Sequence, residues 1–346
     1  MVNLVKAVIM AGGEGTRLRP LTYTRPKPFV PIGGRPVIEY VVDSLRRAGV
    51  TDILLTTCYK PEVLLGHLGG GSRFGANLVY SLEDTAMGTA GGVKKVRSYL
   101  NETFFVASGD GFARVDLKSL LDFHKKSGAV ATMGLTRVDN PSEFGIVGMD
   151  ENGRINRFKE KPKTREEAFS NLINTGIYVL EPEVLDHVPE GEPFDFGKQL
   201  FPLLVEKGLP VFGRELEGLW IDVGRPSDLL LASERLCEES HGGNIIAEDA
   251  QVAGDARLSA ATLHSGVRVG AGAKLTRVIL MEGAEVGPDA VLQDTILGVG
   301  AKVGARARVT GSVLGDGAIV GEEATLDGQK VDPAGNVDRG LTVKGR

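Results

Sequence analysis

Two consecutive stretches of the chain, Val269–Glu285 (VGAGAKLTRVILMEGAE) and Val286–Lys302 (VGPDAVLQDTILGVGAK), align residue for residue at a spacing of 17. Each starts with Val-Gly and carries an Ala, a Leu and an Ile-Leu pair at the same offsets. The same spacing extends outward through Val252, Val269, Val286, Val303 and Val320, and through Leu258, Leu275, Leu292, Val309 and Leu326. Aliphatic residues at steps of about six, with small residues between them, are typical of a parallel β-helix of hexapeptide repeats.

A sandwich of short strands is the alternative fold for this region, but it gives no reason for a fixed spacing of 17 residues. The repeat therefore predicts a β-helix domain over residues 245–328, followed by a polar tail at 329–346. Composition supports the division of the chain into two halves. Glycine makes up 47 of 346 residues, about twice its usual share, and no aromatic residue follows Trp220.

Before Gly242 the pattern changes to alternating strands and helices. Leu4–Ala11 is predicted as a buried strand, and Pro36–Ala48 as a helix that begins at a proline and stops at Gly49. This βαβ order predicts an α/β domain over residues 1–240, with a Rossmann-like, mostly parallel sheet and helices on both faces. Ligands of such sheets bind at the carboxyl ends of the strands.

The overall composition excludes several classes of protein. A net charge of −5, with 42% hydrophobic and 25% charged residues, does not provide the positive field that a nucleic-acid partner requires. No apolar run approaches the roughly 18–20 residues that span a bilayer, and no signal peptide is recognisable, so we expect no membrane partner and a cytoplasmic location. Cys58 and Cys237 are too far apart to indicate a disulfide framework or a zinc site.

A glycine-rich segment follows the first predicted strand: MAGGEGTRLRPLT at Met10–Thr22. Gly12, Gly13 and Gly15 let the backbone approach a ligand closely and expose its N–H groups to an anion. The segment lacks the third glycine of a dinucleotide fingerprint and the GK[ST] of a Walker loop.

Two basic residues accompany these glycines. Arg17 can bind a polyphosphate with its bidentate guanidinium, and Lys27, between two prolines that stiffen its loop, supplies a point charge. The segment is therefore predicted to bind phosphate groups.

Two aspartates are candidate metal ligands. Asp110 follows the apolar segment Phe104–Ala107 at the predicted carboxyl edge of the sheet, where a carboxylate can hold Mg²⁺ against a triphosphate, although a turn aspartate before Gly111 would look the same. Asp222 is flanked by apolar residues beside Trp220, which is a costly place for a charge unless it is paired or bound to a metal.

The signature GEGTRLRPLT with its PKP resembles that of the sugar-1-phosphate nucleotidylyltransferases, also called nucleotide-sugar pyrophosphorylases, and the chain is most similar to the mannose-1-phosphate guanylyltransferases among them. Further motifs of the family recur in order: MGTAGG at Met87–Gly92, SGD at Ser108–Asp110, FKEKP at Phe158–Pro162, NTGIY at Asn174–Tyr178 and WIDVG at Trp220–Gly224. Members often carry a C-terminal left-handed β-helix, so the resemblance also implies that handedness.

The resemblance implies a role for each matching residue. The catalytic group comprises Arg17, Lys27, Asp110, Lys161 and Asp222, with Asp110 and Asp222 as the ligands of Mg²⁺. The nucleotide-binding group comprises Ala11, Gly12, Gly13, Gly15, Thr16, Glu83, Gly88 and Thr89, and the sugar-binding group Gly145, Glu160, Asn174 and Gly176. The implied reaction is attack of a sugar 1-phosphate oxygen on the α-phosphorus of a nucleoside triphosphate, which expels pyrophosphate. No general base is needed because the attacking phosphate is already an anion.

The implied substrate base depends on Glu83, where family members that read thymine or uracil typically have glutamine. A carboxylate only accepts hydrogen bonds, and guanine presents two adjacent donors. GTP and mannose 1-phosphate, giving GDP-mannose, are therefore the expected substrates, and a glucose-1-phosphate thymidylyl- or uridylyltransferase is the alternative.

Two further functions remain open. The chain could be a catalytically inactive regulatory subunit, or a hexapeptide-repeat acyltransferase that uses His264 in the repeat region. The ends of a solenoid need to be covered, so we expect the β-helix to pack against the first domain or a second subunit, and we expect a homo-oligomer.

Overall fold

The computed structural model describes residues 5–345, so Leu4 of the first predicted strand lies outside the described residues. The chain divides into two compact units. Described residues 5–13 and 38–222 form the first unit, and 14–37 and 223–345 form the second. Residues 14–37 and 223–240, which the sequence places in the first domain, thus group with the β-helix.

The first unit is built on one mixed sheet and a two-stranded ribbon. The strands are β1 Lys6–Met10, β2 Asp52–Thr57, β3 Asn77–Leu82, β4 Phe104–Ser108, β5 Gly111–Val115, β6 Ala131–Arg137, β7 Gly145–Met149, β8 Ile155–Glu160, β9 Leu172–Leu180, β10 Val211–Glu215 and β11 Gly218–Asp222. The α-helices of the chain are α1 Val37–Arg47, α2 Pro61–Leu68, α3 Gly88–Lys95, α4 Leu117–Ser127, α5 Phe201–Glu206 and α6 Pro226–Glu239.

Four neighbouring strands, in the order β4-β1-β2-β3, form the parallel core of the sheet. The apolar residues of β2 and β4 and most of those of β1 are buried, as expected for parallel strands covered on both faces, whereas Val79 and Leu82 of the edge strand β3 are exposed. Val8 of β1 lies beside Leu54 and Val106 and packs with Ala90 and Val93 of α3. The α/β fold with a parallel core is thereby confirmed.

The rest of the sheet is largely antiparallel. Strand β9 pairs antiparallel with β4, β6 and β7, and β8 pairs antiparallel with β7, while β10 adds a parallel partner to β6. Strands β5 and β11 form a separate antiparallel ribbon. Only two residues, Gly109 and Asp110, separate β4 from the ribbon, which brings the ribbon close to the carboxyl end of the parallel core.

The second unit contains α6 and a parallel β-helix, as the repeat predicts. Its strands are Ile245–Ile246, Gln251–Val252, Arg257–Leu263, Arg268–Val269, Lys274–Leu280, Glu285–Val286, Val291–Leu297, Lys302–Val303, Arg308–Thr310, Val313–Leu314, Ile319–Val320, Thr325–Asp327, Lys330–Val331, Asn336–Val337 and Thr342–Lys344. Equivalent positions one coil apart pair in parallel, for example Leu275 with Leu292, at the spacing of the repeat. The aliphatic side chains of successive coils stack into one buried core.

The β-helix extends further than predicted. Strands at Lys330–Val331, Asn336–Val337 and Thr342–Lys344 pair with the preceding coil, and Val337 packs against the core. This corrects the predicted polar tail from residue 329, because backbone pairing with the previous coil is satisfied even where the side chains are mostly polar.

Within residues 5–345, no helix has the length and apolar character required to cross a membrane.

Candidate active site

The two predicted metal ligands lie on neighbouring backbone segments of the first unit. Asp110 occupies the turn between β4 and β5, and Asp222, the last residue of β11, pairs with Gly111. Both carboxylates are half-buried. The hydroxyl of Ser108 donates a hydrogen bond to Asp110 Oδ1, which orients that carboxylate. The ribbon therefore brings together two aspartates that are 112 positions apart in the sequence.

The donor set fits Mg²⁺. Among residues 5–345 there is no group of three or more His, Cys, Asp and Glu residues that could hold a metal ion. Mg²⁺ usually takes only one or two protein carboxylates and completes its octahedron with substrate phosphate oxygens and water. A pair of neighbouring aspartates at the end of a sheet suits such a substrate-dependent site better than a permanent metal centre.

The turn that carries Asp110 packs against the end of β1. The Gly109 N–H donates to the Met10 carbonyl at 2.9 Å, and a Cβ at Gly109 would lie 3.0 Å from that oxygen. Ala11, the first residue after β1, is buried and donates its N–H to the Thr56 carbonyl at 2.8 Å. Gly12 follows, and its carbonyl accepts a hydrogen bond from the Cys58 thiol at 3.3 Å. Ala11 and Gly12 thus lie at the same sheet edge as the aspartate turn.

Gly13 still belongs to the first unit, whereas the glycine-rich segment from Glu14 onward belongs to the second unit and folds back on itself. Gly15 has a left-handed backbone with φ of 67°, and its carbonyl accepts a hydrogen bond from the Thr22 hydroxyl at 2.8 Å. A Cβ at Gly15 would lie 2.8 Å from Lys27 Cβ, so no larger residue fits there. Lys27 is only 8% exposed, whereas Thr16 and Arg17 are exposed. The structure thus brings Gly15 and Lys27 into contact.

Glu83 closes the loop between β3 and α3. Its Oε2 accepts the Met87 N–H at 3.1 Å, and a Cβ at Gly92 would lie 2.6 Å from Oε1. The loop borders a cavity of about 430 Å³ whose lining includes Glu83, Asp84, Met87 and Gly91. The carboxylate is held by its own loop at the edge of this cavity, and its remaining lone pairs can accept further hydrogen bonds.

Gly88 and Thr89 make contacts that the sequence does not reveal. Gly88 has φ of 70°, and a Cβ there would lie 2.7 Å from the Phe194 carbonyl. That carbonyl accepts the N–H groups at the start of α3, from Ala90 at 2.8 Å and Gly91 at 3.0 Å. The Thr89 hydroxyl hydrogen-bonds with Asp195 Oδ1 at 3.2 Å. Both residues therefore anchor the start of α3 to the loop at residues 194–195.

Two of the predicted sugar-binding positions, Asn174 and Gly176, lie on β9. Asn174 donates to the Tyr178 hydroxyl at 3.0 Å and accepts the Gly176 N–H at 2.9 Å. A Cβ at Gly176 would lie 3.1 Å from Ser108 Cβ. Because Ser108 also binds Asp110, this part of β9 adjoins the aspartate turn.

Glu160, at the end of β8, is enclosed by two glycines. A Cβ at Gly145 would lie 2.7 Å from Glu160 Oε2, and one at Gly197 would lie 2.6 Å from the same atom. Burial raises the pKa of the Glu160 carboxyl, against the opposing charges of Lys161 and Lys198. The carboxylate therefore lies where a hydroxyl-bearing ligand would compensate its lost hydration.

Lys161 has a strained backbone. Its φ is 45°, a left-handed conformation that lysine rarely adopts, and its N–H donates to the Phe144 carbonyl at 2.9 Å. Its side chain is exposed next to Glu160. Backbone strain of this kind is concentrated at functional sites, where the surrounding structure holds it in place.

Asp195 and Tyr178 were missed as candidate site residues. Asp195 contacts Thr89 and Lys198, and its charge acts on Glu160. Tyr178 is buried, and burial raises the pKa of its hydroxyl. Tyr178 lies within the NTGIY motif, so its place four residues after Asn174 was a usable signal, whereas nothing local marks Asp195.

His264, the candidate base of an acyltransferase, is 8% exposed, and its Nε2 has no hydrogen-bond partner among the described residues. Burial, assisted by the charge of Arg25, lowers the pKa of the imidazole to about 4. A buried, weakly basic imidazole is poorly placed to take a proton from a substrate.

Comparison with known proteins assigns both halves of the chain. The nucleotidyl transferase family model matches residues 6–239, and the GMPPB C-terminal domain model matches 241–345. The UTP–glucose-1-phosphate uridylyltransferase of Synechocystis is 40% identical over 65% of this chain, and the chain spans 61% of that protein's length. The mannose-1-phosphate guanyltransferase of Candida albicans is 40% identical, with 70% of this chain and 71% of that protein covered.

Two more distant relatives extend the comparison. The mannose-1-phosphate guanylyltransferase of Mycobacterium tuberculosis is 35% identical, with 77% of this chain and 82% of that protein covered. A Bacillus anthracis crystal structure in complex with sucrose, described as that of a "putative glucose-1-phosphate thymidylyltransferase", superposes with a TM-score of 0.60 at 27% identity. The match covers 66% of this chain and 93% of that one. The folds, the ordered motifs and these matches together place the chain in the nucleotidyl transferase family.

Proposed function

We propose that the chain is a sugar-1-phosphate nucleotidyltransferase that joins GTP and mannose 1-phosphate to give GDP-mannose and pyrophosphate. The observation that supports the proposal is the backbone pairing of Asp222 with Gly111, the residue after Asp110, near the end of the parallel strands where Ala11 and Gly12 leave β1. This end of the strands is where α/β proteins bind nucleotides.

The reaction needs little covalent help from the protein. An oxygen of the sugar 1-phosphate attacks the α-phosphorus, the bond between the α-phosphorus and its bridging oxygen to the β-phosphate breaks, and pyrophosphate leaves with the electron pair. No proton has to move, because the nucleophile is already charged. The protein has to hold two anions that repel each other and to neutralise the charge that develops.

The residues of the chain divide this work. In the proposal, Arg17 binds the departing pyrophosphate, Lys27 the α-phosphate and Lys161 the attacking phosphate. The backbone at Gly12, Gly13 and Gly15 admits the phosphates closely. Mg²⁺ held by Asp110 and Asp222 would add positive charge at the phosphates.

The sugar side of the proposed site uses the carboxylate of Glu160 and the amide of Asn174. Glu160 can accept hydrogen bonds from two sugar hydroxyls, which would replace the water that burial removes. Gly145 and Gly176 leave room beside these groups, since a side chain at either position would collide with Glu160 or Ser108.

The preference for guanine rests on Glu83. A carboxylate offers acceptors to both N–H groups of the guanine edge, whereas thymine and uracil offer one donor between two acceptors. The fungal and mycobacterial relatives named mannose-1-phosphate guanylyltransferases support the same choice. A uridylyl- or thymidylyltransferase acting on glucose 1-phosphate is the second candidate, favoured by the relatives from Synechocystis and Bacillus anthracis.

A panel assay tests the proposal. Pyrophosphate release is measured with Mg²⁺ for each combination of GTP, ATP, UTP and dTTP with mannose-, glucose- and galactose-1-phosphate. The highest kcat/KM is expected for GTP with mannose 1-phosphate. A higher value for UTP or dTTP with glucose 1-phosphate would establish the second candidate, and no turnover with any pair would identify a regulatory subunit. Assembly into a homo-oligomer and a cytoplasmic location stay predictions.

A further inference from the structure

Within the second unit, a carboxylate on the β-helix binds two residues that follow the glycine-rich segment, Thr24 and Arg25. Asp316 Oδ2 pairs with the guanidinium Nη2 of Arg25 and accepts a hydrogen bond from the Thr24 hydroxyl at 2.6 Å. The side chains of Arg25 and Asp316 are only 14% and 20% exposed. This ion pair is shielded from water, and the same oxygen accepts a second hydrogen bond. The relative position of Arg25 and Asp316 is therefore fixed more firmly than that of an exposed surface pair.

Asp316 is itself held in place by the coil of the β-helix beneath it. Its second oxygen, Oδ1, accepts the Val299 N–H at 2.9 Å. A Cβ at Gly298 would lie 2.6 Å from Oδ1, so the backbone approaches the carboxylate at a position where a side chain does not fit. The acceptor is thus oriented by the coil before Arg25 binds to it.

The position of Arg25 restricts where Lys27, two residues later, can lie. The other terminal nitrogen of Arg25, Nη1, contacts the Met281 sulfur at 3.2 Å, so both ends of the guanidinium rest on the β-helix. Pro26 follows and fixes its own φ near −68°, which leaves little freedom before Lys27. Lys27 in turn packs against Gly15.

A second contact reaches the other end of the segment. Lys330 Nζ lies 3.4 Å from the Arg17 carbonyl, a long hydrogen bond from an exposed side chain. Its length and exposure make it the weaker of the two attachments.

We propose that Asp316 is a positioning residue for the segment from Arg17 to Lys27, so that the β-helix takes part in nucleotidyl transfer by holding the phosphate-binding lysine in place. The catalytic part of this inference rests on the proposed function, in which Lys27 binds the α-phosphate. A displacement of about 1 Å in such a group can lower the rate by about 100-fold.

The test compares Asp316→Asn with the wild-type protein. Asparagine keeps an oxygen for the Val299 N–H but loses the charge that binds Arg25. We expect kcat/KM to fall by about 10- to 100-fold, mainly through kcat, and amide hydrogen exchange to speed up in residues 16–29 without any substrate present. Arg25→Gln should give the same loss, and the double variant no more than either single one, because the two side chains act as a pair.

The matched control is Asp294→Asn, which removes the charge from another arginine-aspartate pair of the β-helix, Arg277 with Asp294. It should leave both kcat/KM and exchange in residues 16–29 unchanged. Unchanged kinetics and exchange in Asp316→Asn, or equal effects in Asp294→Asn, would overturn the inference. An inactive wild-type protein would instead defeat the proposed function, and the exchange measurement would still decide whether Asp316 holds the segment.

Discussion

Asp222 lies directly across the β5–β11 ribbon from Gly111, and Gly111 is the residue that follows Asp110. The ribbon thus makes neighbours of the backbone segments that carry two carboxylates, and carboxylate oxygens are the protein ligands that Mg²⁺ takes. This relationship leads to the first prediction.

Asp110→Asn and Asp222→Asn should each lower kcat by about 100- to 1,000-fold, because each removes one preorganised charge contact from the reacting phosphates. Chelation of Mg²⁺ should abolish the wild-type activity. Steady-state kinetics at several Mg²⁺ concentrations measure both effects. Asp122→Asn is the control, since this exposed aspartate lies on α4 and pairs with Lys118 of the same helix. Activity within about threefold of wild type in both site variants would contradict the metal assignment.

Gly15→Ala should damage both stability and activity. The substitution places a Cβ in a left-handed conformation, which costs about 1–2 kcal/mol, and against Lys27 Cβ at 2.8 Å. Displacement of Lys27 should lower kcat/KM by more than about tenfold. Denaturant unfolding and kinetics measure the two effects. Gly66→Ala, in α2 with open space around it, should leave activity unchanged and stability equal or higher. Wild-type kinetics in Gly15→Ala would show that Lys27 is not needed in its present place.

Glu83→Gln should shift the base preference. Glutamine can still accept the Met87 N–H through its oxygen, so the loop is retained, but its amide group donates where the carboxylate accepted. We expect the ratio of kcat/KM for GTP to that for UTP to fall by about 10- to 100-fold. Asp84→Asn removes a neighbouring carboxylate from the same cavity lining and should leave the ratio unchanged. An unaltered ratio in Glu83→Gln would assign Glu83 a purely structural role in the loop.

His264 should make the protein acid-sensitive. Because its folded-state pKa is lowered to about 4 from 6.5, the unfolded chain takes up a proton first as the pH falls. Folding stability therefore decreases between about pH 6.5 and pH 4 and is unaffected by this group above that window. His264→Leu should remove about 2–3 kcal/mol of the stability difference between pH 7.5 and pH 4.5.

Denaturant titrations at the two pH values measure this difference. The exposed His241→Asn is the control and should behave as wild type. An acid sensitivity in His264→Leu equal to that of wild type would mean that the imidazole is protonated in the folded protein.

The β-helix could be predicted because each coil repeats the same local chemistry. Positions 17 apart become direct neighbours in the parallel ladder, so one periodicity encodes both the strand and its pairing. The same spacing links Val320 to Val337 and Leu326 to Val343, which was a signal for the additional coil beyond residue 328. The signal is weaker there, because Asp338 follows Val337 where glycine follows Val269, Val286, Val303 and Val320.

The site was predictable only in part. Local context marks Asp110 and Asp222, because each carboxylate stands beside apolar residues, whereas Glu160 lies in a charged segment and is implied only by the resemblance. Contacts between distant loops leave no such mark: Thr89 meets Asp195 across 106 positions, and Arg25 meets Asp316 across 291. Each partner alone looks like an ordinary surface residue, and only the folded backbone brings the two together.

The grouping of residues 14–37 with the β-helix bears on how such enzymes can be recombined. A chimera joined at Ser240 would combine the β-helix of one homologue with residues 14–37 of another. It would lose the ion pair between Arg25 and Asp316 wherever either side chain differs. The exchangeable module is discontinuous, so a functional hybrid has to inherit both pieces from the same parent.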